Sequence, residues 1–404
     1  MADDRKPKEP QGLPEGWKWL RLGEILKYEQ PQKYIVKSEE YDEKSGVPVL
    51  TAGKTFILGY VDENEGICND LPVILFDDFT TDSRFIDFPF KVKSSATKIL
   101  RARDESIDLF YVYNALKLIK LKPSSDHKRF WISEYSKMPI PLPPLPEQRK
   151  IAQILETVDN AIEKTEKIIE KYKRIKQGLM QDLLTKGIDE NGNIRSEKTH
   201  KFKDSPLGRI PEEWEVVRLG EIVEIYDNKR IPLSEEERAN RKGIYPYCGA
   251  NGIIDHIDDY IFEGEYLLLA EDGGFFGRFE NSAYLMSGKF WVNNHAHVLK
   301  AREGVSVNGF ILAWLIFDDL SRYISGTTRQ KLNQSVMRNI LIPLPPISEQ
   351  KRIAEILSQI DQAIEKEEKY KEKLERLKKG LMEDLLTGKV RVNKLLEGEV
   401  NEMA

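Results

Sequence analysis

The chain of 404 residues contains two cysteines, Cys68 and Cys248, far apart and without CxxC spacing. This excludes a disulfide framework and the usual zinc clusters, and leaves both thiols to be read as small buried apolar residues. Long apolar runs are also missing. The longest, Phe310 to Phe317, is far short of the roughly 20 residues a membrane-crossing helix needs. The N-terminal MADDRKPKEP lacks a signal-peptide core, so a cytoplasmic protein with no membrane contact is expected. Nor is there an excess of positive charge. Against 67 Asp and Glu stand 62 Lys and Arg, a net charge of −5, which argues against a basic protein that coats nucleic acid along its whole surface. Local basic loops are still compatible with that average.

Signatures of self-contained enzymes are absent as well. Gly53, Lys54 and Thr55 resemble the end of a phosphate-binding loop, but Pro48 occupies the required upstream glycine position. There is no Gly-rich cofactor turn and no [DN]PP[YFW] motif of an adenine methyltransferase, and Glu271 with Asp272 lacks the rest of a nuclease pattern. No catalytic residue is assigned. His295 and His297 share a strand face, yet no acidic or Cys ligand recurs at useful spacing nearby, so no metal site is expected.

What the chain does contain is itself, twice. PEGWKWLRLGEI from Pro14 recurs as PEEWEVVRLGEI from Pro211, and PLPPLPEQRKIAQIL from Pro141 recurs as PLPPISEQKRIAEIL from Pro343. Aligned without a gap, Pro141–Thr185 and Pro343–Thr387 share 28 of 45 residues. Between these repeated ends the halves diverge, with only echoes such as DSRF at Asp82 against FGRF at Phe276. A tandem duplication has kept its framework and varied its content.

After each PLPP the pattern predicts a long helix, Glu147–Thr185 and Glu349–Thr387, with Pro146 in one first turn, Ser348 as the other N-cap, and Gly187 and Gly388 as stops. Apolar residues recur at coiled-coil spacing: Ile151, Leu155, Val158, Ile162, Tyr172, Leu179 and Leu183, then Ile353, Leu357, Ile360, Ile364, Leu374, Leu381 and Leu385. The stripe falters at Thr165 and Glu367 and is expected to drift toward Ile168 and Ile175, or Tyr370 and Leu377. Related halves in one chain favour a pseudo-two-fold axis, which makes the two helices antiparallel.

The fold class expected is therefore mixed α/β (α+β). Two globular α/β domains, 1–140 and 211–342, carry short strand candidates and one helix each, at Leu109–Leu118 and Asn308–Asp318. They are joined by helical regions 141–187 and 343–390, packed as an antiparallel coiled coil with a pseudo-two-fold internal repeat. Residues 188–210 read as a linker and 391–404 as a tail.

Base edges are read by Arg, Lys, Asn and Gln on loops. Thr328, Arg329, Gln330 and Lys331, within GTTRQKLNQS, form the best candidate DNA surface, with Lys128 and Arg129 at the matching place in the first half. Asn293, Asn294 and His295 lie opposite the segment carrying Lys98 and form a second. Arg84 and Arg278, shared by both halves, suit phosphate contact or structure.

Together the two PLPP-rod motifs, the two GLMxDLLT endings, the Trp-containing openings and GTTRQKL resemble specificity subunits of Type I restriction-modification systems over nearly the whole chain. The resemblance implies two target-recognition domains, each reading half of an asymmetric bipartite site in double-stranded DNA, with the helices setting the spacer. It implies two modification subunits that use S-adenosylmethionine, and two restriction subunits that use ATP and Mg for translocation and cleavage. It implies no cofactor bound by this chain. HKRFWIS in the first domain departs from the Gly-Thr-x-x-Gln run of the second.

Overall fold

The computed structural model describes residues 12–51, 55–119, 130–324 and 331–396. Two compact units form: residues 1–165 with 370–404, and residues 166–369. Among the described residues no helix is long and apolar enough to cross a membrane.

In the first unit, strand Lys18–Arg21 runs antiparallel to Pro139–Leu142, with Arg21 opposite Pro139. In the second, Glu215–Arg218 pairs in the same way with Leu341–Leu344. The repeated opening and the PLPP closing are thus two strands of one ribbon, and the varied sequence is looped out between them. In the first unit the looped-out part builds a four-stranded sheet, ordered Leu26–Glu29, Thr97–Ala102, Val73–Asp77, Ser83–Ile86, and a three-stranded sheet of Ile57–Val61, Val47–Leu50 and Lys91–Val92. In the second it builds one six-stranded sheet, ordered Val223–Ile225, Ala296–Ala301, Phe262–Ala270, Ala283–Val292, Lys242–Gly249, Gly252–Ile257. The two helices predicted within these domains form at Leu109–Leu118, capped by Asp108, and at Asn308–Phe317. Cys68 and Cys248 are both buried in the sheet cores.

The long helices span Leu145–Thr185 and Ile347–Leu385. Each begins two residues before its predicted start because the PLPP carbonyls already accept in its first turn: the Gln148 amide donates to Pro144 O and the Gln350 amide to Pro346 O. Ser348 therefore lies inside the first turn rather than capping it. Gly187 and Gly388 stop the helices with φ of 65° and 75°, and at Gly187 a side chain would also collide with Trp214, Glu349 and Arg195.

Packing of the helices is antiparallel within each unit. In the second unit, Met180, Leu183 and Leu184 share a core with Ile353 and Leu357. In the first, Ile151, Ala152 and Leu155 share one with Met382, Leu385 and Leu386. The expected drift of the stripe does not occur. Thr165 is buried, its hydroxyl donating to Ala161 O, and the seam continues through buried Ile169 and half-buried Tyr172 and Lys176. Ile168, Ile175, Tyr370 and Leu377 are left exposed. A strict 4-3 spacing, rather than hydrophobicity at every position, defines the face. Two lysines at seam positions find carboxylates across it: Lys176 with Asp361 (2.6 Å) in one unit and Lys378 with Asp159 in the other. Each member of the second pair lies 202 residues from its like in the first.

Each helix start is held by a buried carboxylate. Glu349 accepts from Arg195 (2.5 Å), the Trp214 indole (3.2 Å) and the Ile188 amide (2.8 Å). Glu147 accepts from Trp17 (3.2 Å) and Arg391. Residues 188–210 are accordingly more than a linker: Ile188 and Arg195 are buried, and Phe202–Ser205 pairs with Gly208–Pro211. Neighbouring Gln148 and Gln350, both buried, bridge each PLPP turn to the loop before the domain helix, through Pro143 O and the Asp108 amide or Pro345 O and the Val307 amide. Removing the acceptor leaves the buried Arg195 guanidinium with only half-exposed Glu213 (2.7 Å) and strands the Trp214 indole and the Ile188 amide, so Glu349→Ala is expected to lower the stability of the second unit by about 3 kcal/mol in denaturant titrations. An exposed control such as Glu355→Ala should change it little.

Candidate nucleic-acid interface

The predicted base-reading residues separate into three groups. Lys128 and Arg129, with Thr328, Arg329 and Gln330, lie outside the described residues. Lys331, Asn294, His295 and Arg84 reach the surface wholly or in part. Lys98 and Asn293 do not: both are buried. Lys98 Nζ pairs with Asp78 (3.3 Å) and donates to Ser95 O. Asn293 Oδ1 accepts from the His295 backbone N–H, and the Asn293 backbone N–H donates to Cys248 O. Lys98 turns inward because Thr97–Ala102 is an inner strand next to Val73–Asp77, which brings the Asp78 carboxylate beside it. A buried lysine with a carboxylate at hand pairs rather than seeks solvent.

The shared arginines differ. Arg84 lies over the Phe56 ring. Arg278 packs over Phe279 and Phe317 and donates to Gln181 Oε1 on the first long helix (2.5 Å), tying the turn between strands Phe262–Ala270 and Ala283–Val292 to the coiled coil.

The second domain contains a polar cluster that sequence spacing did not reveal. Nδ1 of His297 lies 2.7 Å from Asp227 Oδ2, and its Nε2 lies 2.7 Å from Leu332 O. Asp227 also accepts from Gln334 Nε2 (2.7 Å) and the Val298 amide (2.9 Å). Glu271 accepts from Arg230 (2.6 Å) and Lys331 (3.0 Å). His295 leaves this group and pairs with Asp272 instead (2.5 Å). Asp227 stands seventy residues before His297, so linear spacing gave no signal of it. Asp227, Glu271 and His297 place ligand-type atoms within 4.8 Å of one another. Arg230 and Lys331 already bring positive charge to that spot, which opposes a metal cation and makes the cluster an internal charge network.

Burial alone would push the Asp227 carboxyl up. The hydrogen bond and charge of His297, with those of Gln334 and the Val298 amide, outweigh it and hold Asp227 below the usual carboxylate range. Burial of Glu271 is likewise outweighed by Arg230 and Lys331.

Comparison with known proteins finds the same repeat. The family model described as Type I restriction modification DNA specificity domain matches twice, over residues 14–174 and 211–376. The chain is 33% identical over 367 residues to the Type I restriction enzyme EcoR124I/EcoR124II specificity subunit of Escherichia coli, covering 85% of this chain and 86% of that protein. It is 30% identical to the MjaVIII specificity subunit of Methanocaldococcus jannaschii, covering 96% of each. In fold it is similar to the S subunit of a Type I restriction-modification system from M. genitalium, with a TM-score of 0.66 at 18% identity over 94% of this chain and 98% of that one.

Depressed carboxylates contribute stability above their unfolded-state pKa, and that contribution is lost as pH falls through their folded values. Amide hydrogen exchange in the Ala296–Ala301 strand should therefore accelerate as pH is lowered below about 4, the ordinary carboxylate range, once corrected for intrinsic exchange. In Asp227→Asn that acid dependence should be shallower.

Proposed function

Since the chain belongs to the Type I restriction-modification DNA specificity family, we propose that its two domains each read one half of an asymmetric bipartite site in double-stranded DNA, with the coiled coil setting the unread spacer. The observation that carries this reading is the contrast between a framework repeated at a fixed offset and lobes that differ where bases would be read. The Trp, Glu-Gln and rod residues recur, whereas the inner position filled by Lys98 in one lobe is filled by His297 in the other. Identical lobes would suit a palindrome; unlike lobes suit two different half-sites.

The chain itself is non-catalytic in this reading and binds no cofactor. Two modification subunits supply S-adenosylmethionine chemistry, two restriction subunits supply ATP- and Mg-dependent translocation and cleavage, and the complex works in the cytoplasm. Exposed Ile168 and Ile175 on one rod, and Tyr370 and Leu377 on the other, are each one heptad apart and repeat at the same offset. Two equivalent apolar patches, one in each unit, support two copies of a docking partner.

Three experiments test the reading. Replacing residues 14–140 with the matching region of a relative should change one half-site only in the map of methylated adenines; a change in both would refute the modular assignment. A matched seven-residue insertion in both rods adds about 10 Å and should lengthen the spacer by roughly three base pairs with both half-sites unchanged. Ile168→Glu with Ile175→Glu should reduce the bound modification subunits from two to one, measured by native mass spectrometry.

A further inference from the structure

In both lobes the described chain that follows the candidate base-reading segment begins beside a buried pair of a basic side chain and a carboxylate. In the first lobe, Lys98 pairs with Asp78, and Asp78 Oδ1 accepts from the Trp131 amide (2.8 Å). Trp131 stands two residues after Arg129, at the end of the segment that contains Lys128 and Arg129. In the second lobe, His297 lies 3.7 Å from Glu271 and bonds Leu332 O, while the Leu332 amide donates to Glu271 O (2.7 Å). Leu332 follows directly on Arg329, Gln330 and Lys331.

The two arrangements occupy the same place in the sheet. The Asp78 amide donates to Ala96 O (3.1 Å), and the Glu271 amide donates to His295 O (2.8 Å). Asp78 and Glu271 therefore follow matching strands, and Lys98 and His297 are each the second residue of the paired strand. The chemistry differs but the task is the same. A basic side chain under the sheet edge faces a carboxylate, and together they hold the backbone that follows the reading segment. The second lobe is fastened more heavily, because Asp227 grips both His297 and Gln334, and Glu271 grips Lys331.

Resting on the bipartite reading above, we propose that the Lys98–Asp78 couple and the His297–Asp227–Glu271 network are positioning groups for base discrimination. Each fixes the root of its own lobe's reading segment and touches no base. Discrimination by bidentate contacts depends on side-chain placement within a fraction of an ångström. Loosening a root should thus cost selectivity in one half-site and leave the other intact. A merely structural residue would lower the stability or the total affinity without splitting the two halves.

The test is selection of duplexes from a randomised library by the assembled methyltransferase, comparing wild type with His297→Ala, Lys98→Ala and the milder surface change Gln334→Ala. In His297→Ala, discrimination between the preferred base and single mismatches should fall about tenfold per position in one half-site, the loss of roughly one good base contact. The other half should stay within about twofold. Lys98→Ala should show the reciprocal pattern. Gln334→Ala should blur the same half as His297→Ala, and it keeps the proposal testable if the buried substitution prevents folding. Unchanged preferences in all three folded variants, or equal loss in both halves, would overturn the proposal while the bipartite reading stood. A wild-type complex with no sequence preference would overturn both.

Discussion

A carboxylate buried at the start of each long helix is the constraint on which the rest of the structure depends. Glu147 and Glu349 are both nearly inaccessible to solvent, and a carboxylate there is tolerated only with donors in place. Trp17 or Trp214 comes from the opening strand, and Arg391 or Arg195 comes from the chain that has just left the other helix. One acidic side chain thus fastens together the entry to a lobe, the exit from it and the far end of the neighbouring rod. Gln148 and Gln350, next in sequence, satisfy the backbone of the PLPP turn and of the loop before the domain helix, so the junction leaves few polar groups to chance.

Above that junction the lobes are free to differ. The first uses a four-stranded and a three-stranded sheet where the second uses a single six-stranded one. Both keep an inner strand paired with the strand that runs into Asp78 or Glu271, and both place a basic side chain, Lys98 or His297, beside that carboxylate. The repeated ribbon and helix starts hold each lobe, while the sheets between them vary.

Much of this was legible in the sequence because duplication acts as its own control. The rods, their ends at Gly187 and Gly388 and their antiparallel packing follow from spacing and repetition. The drift at Thr165 was misread because polarity was taken as a break in the stripe, whereas a threonine that bonds Ala161 O can sit in a seam without an unsatisfied group. Lys98 was read as exposed because its partner, Asp78, is near only through strand pairing. Asp227 and Arg195 were invisible for a related reason: their partners lie 70 and 154 residues away. The Glu-Gln dipeptide at the rod starts did carry a signal, since it recurs unchanged while neighbouring rod positions vary.

The lysine and aspartate that meet across the seam carry a further implication. Lys176 and Asp159 belong to the same half of the chain, as do Lys378 and Asp361, yet each lysine bonds the aspartate of the opposite half. A single half therefore already holds both members of the contact and is complementary to a second copy of itself. An ancestral half-length protein with this helix could associate as a symmetric pair using the same bonds. Fusing two such genes would leave the seam unaltered and let either lobe mutate without disturbing its twin.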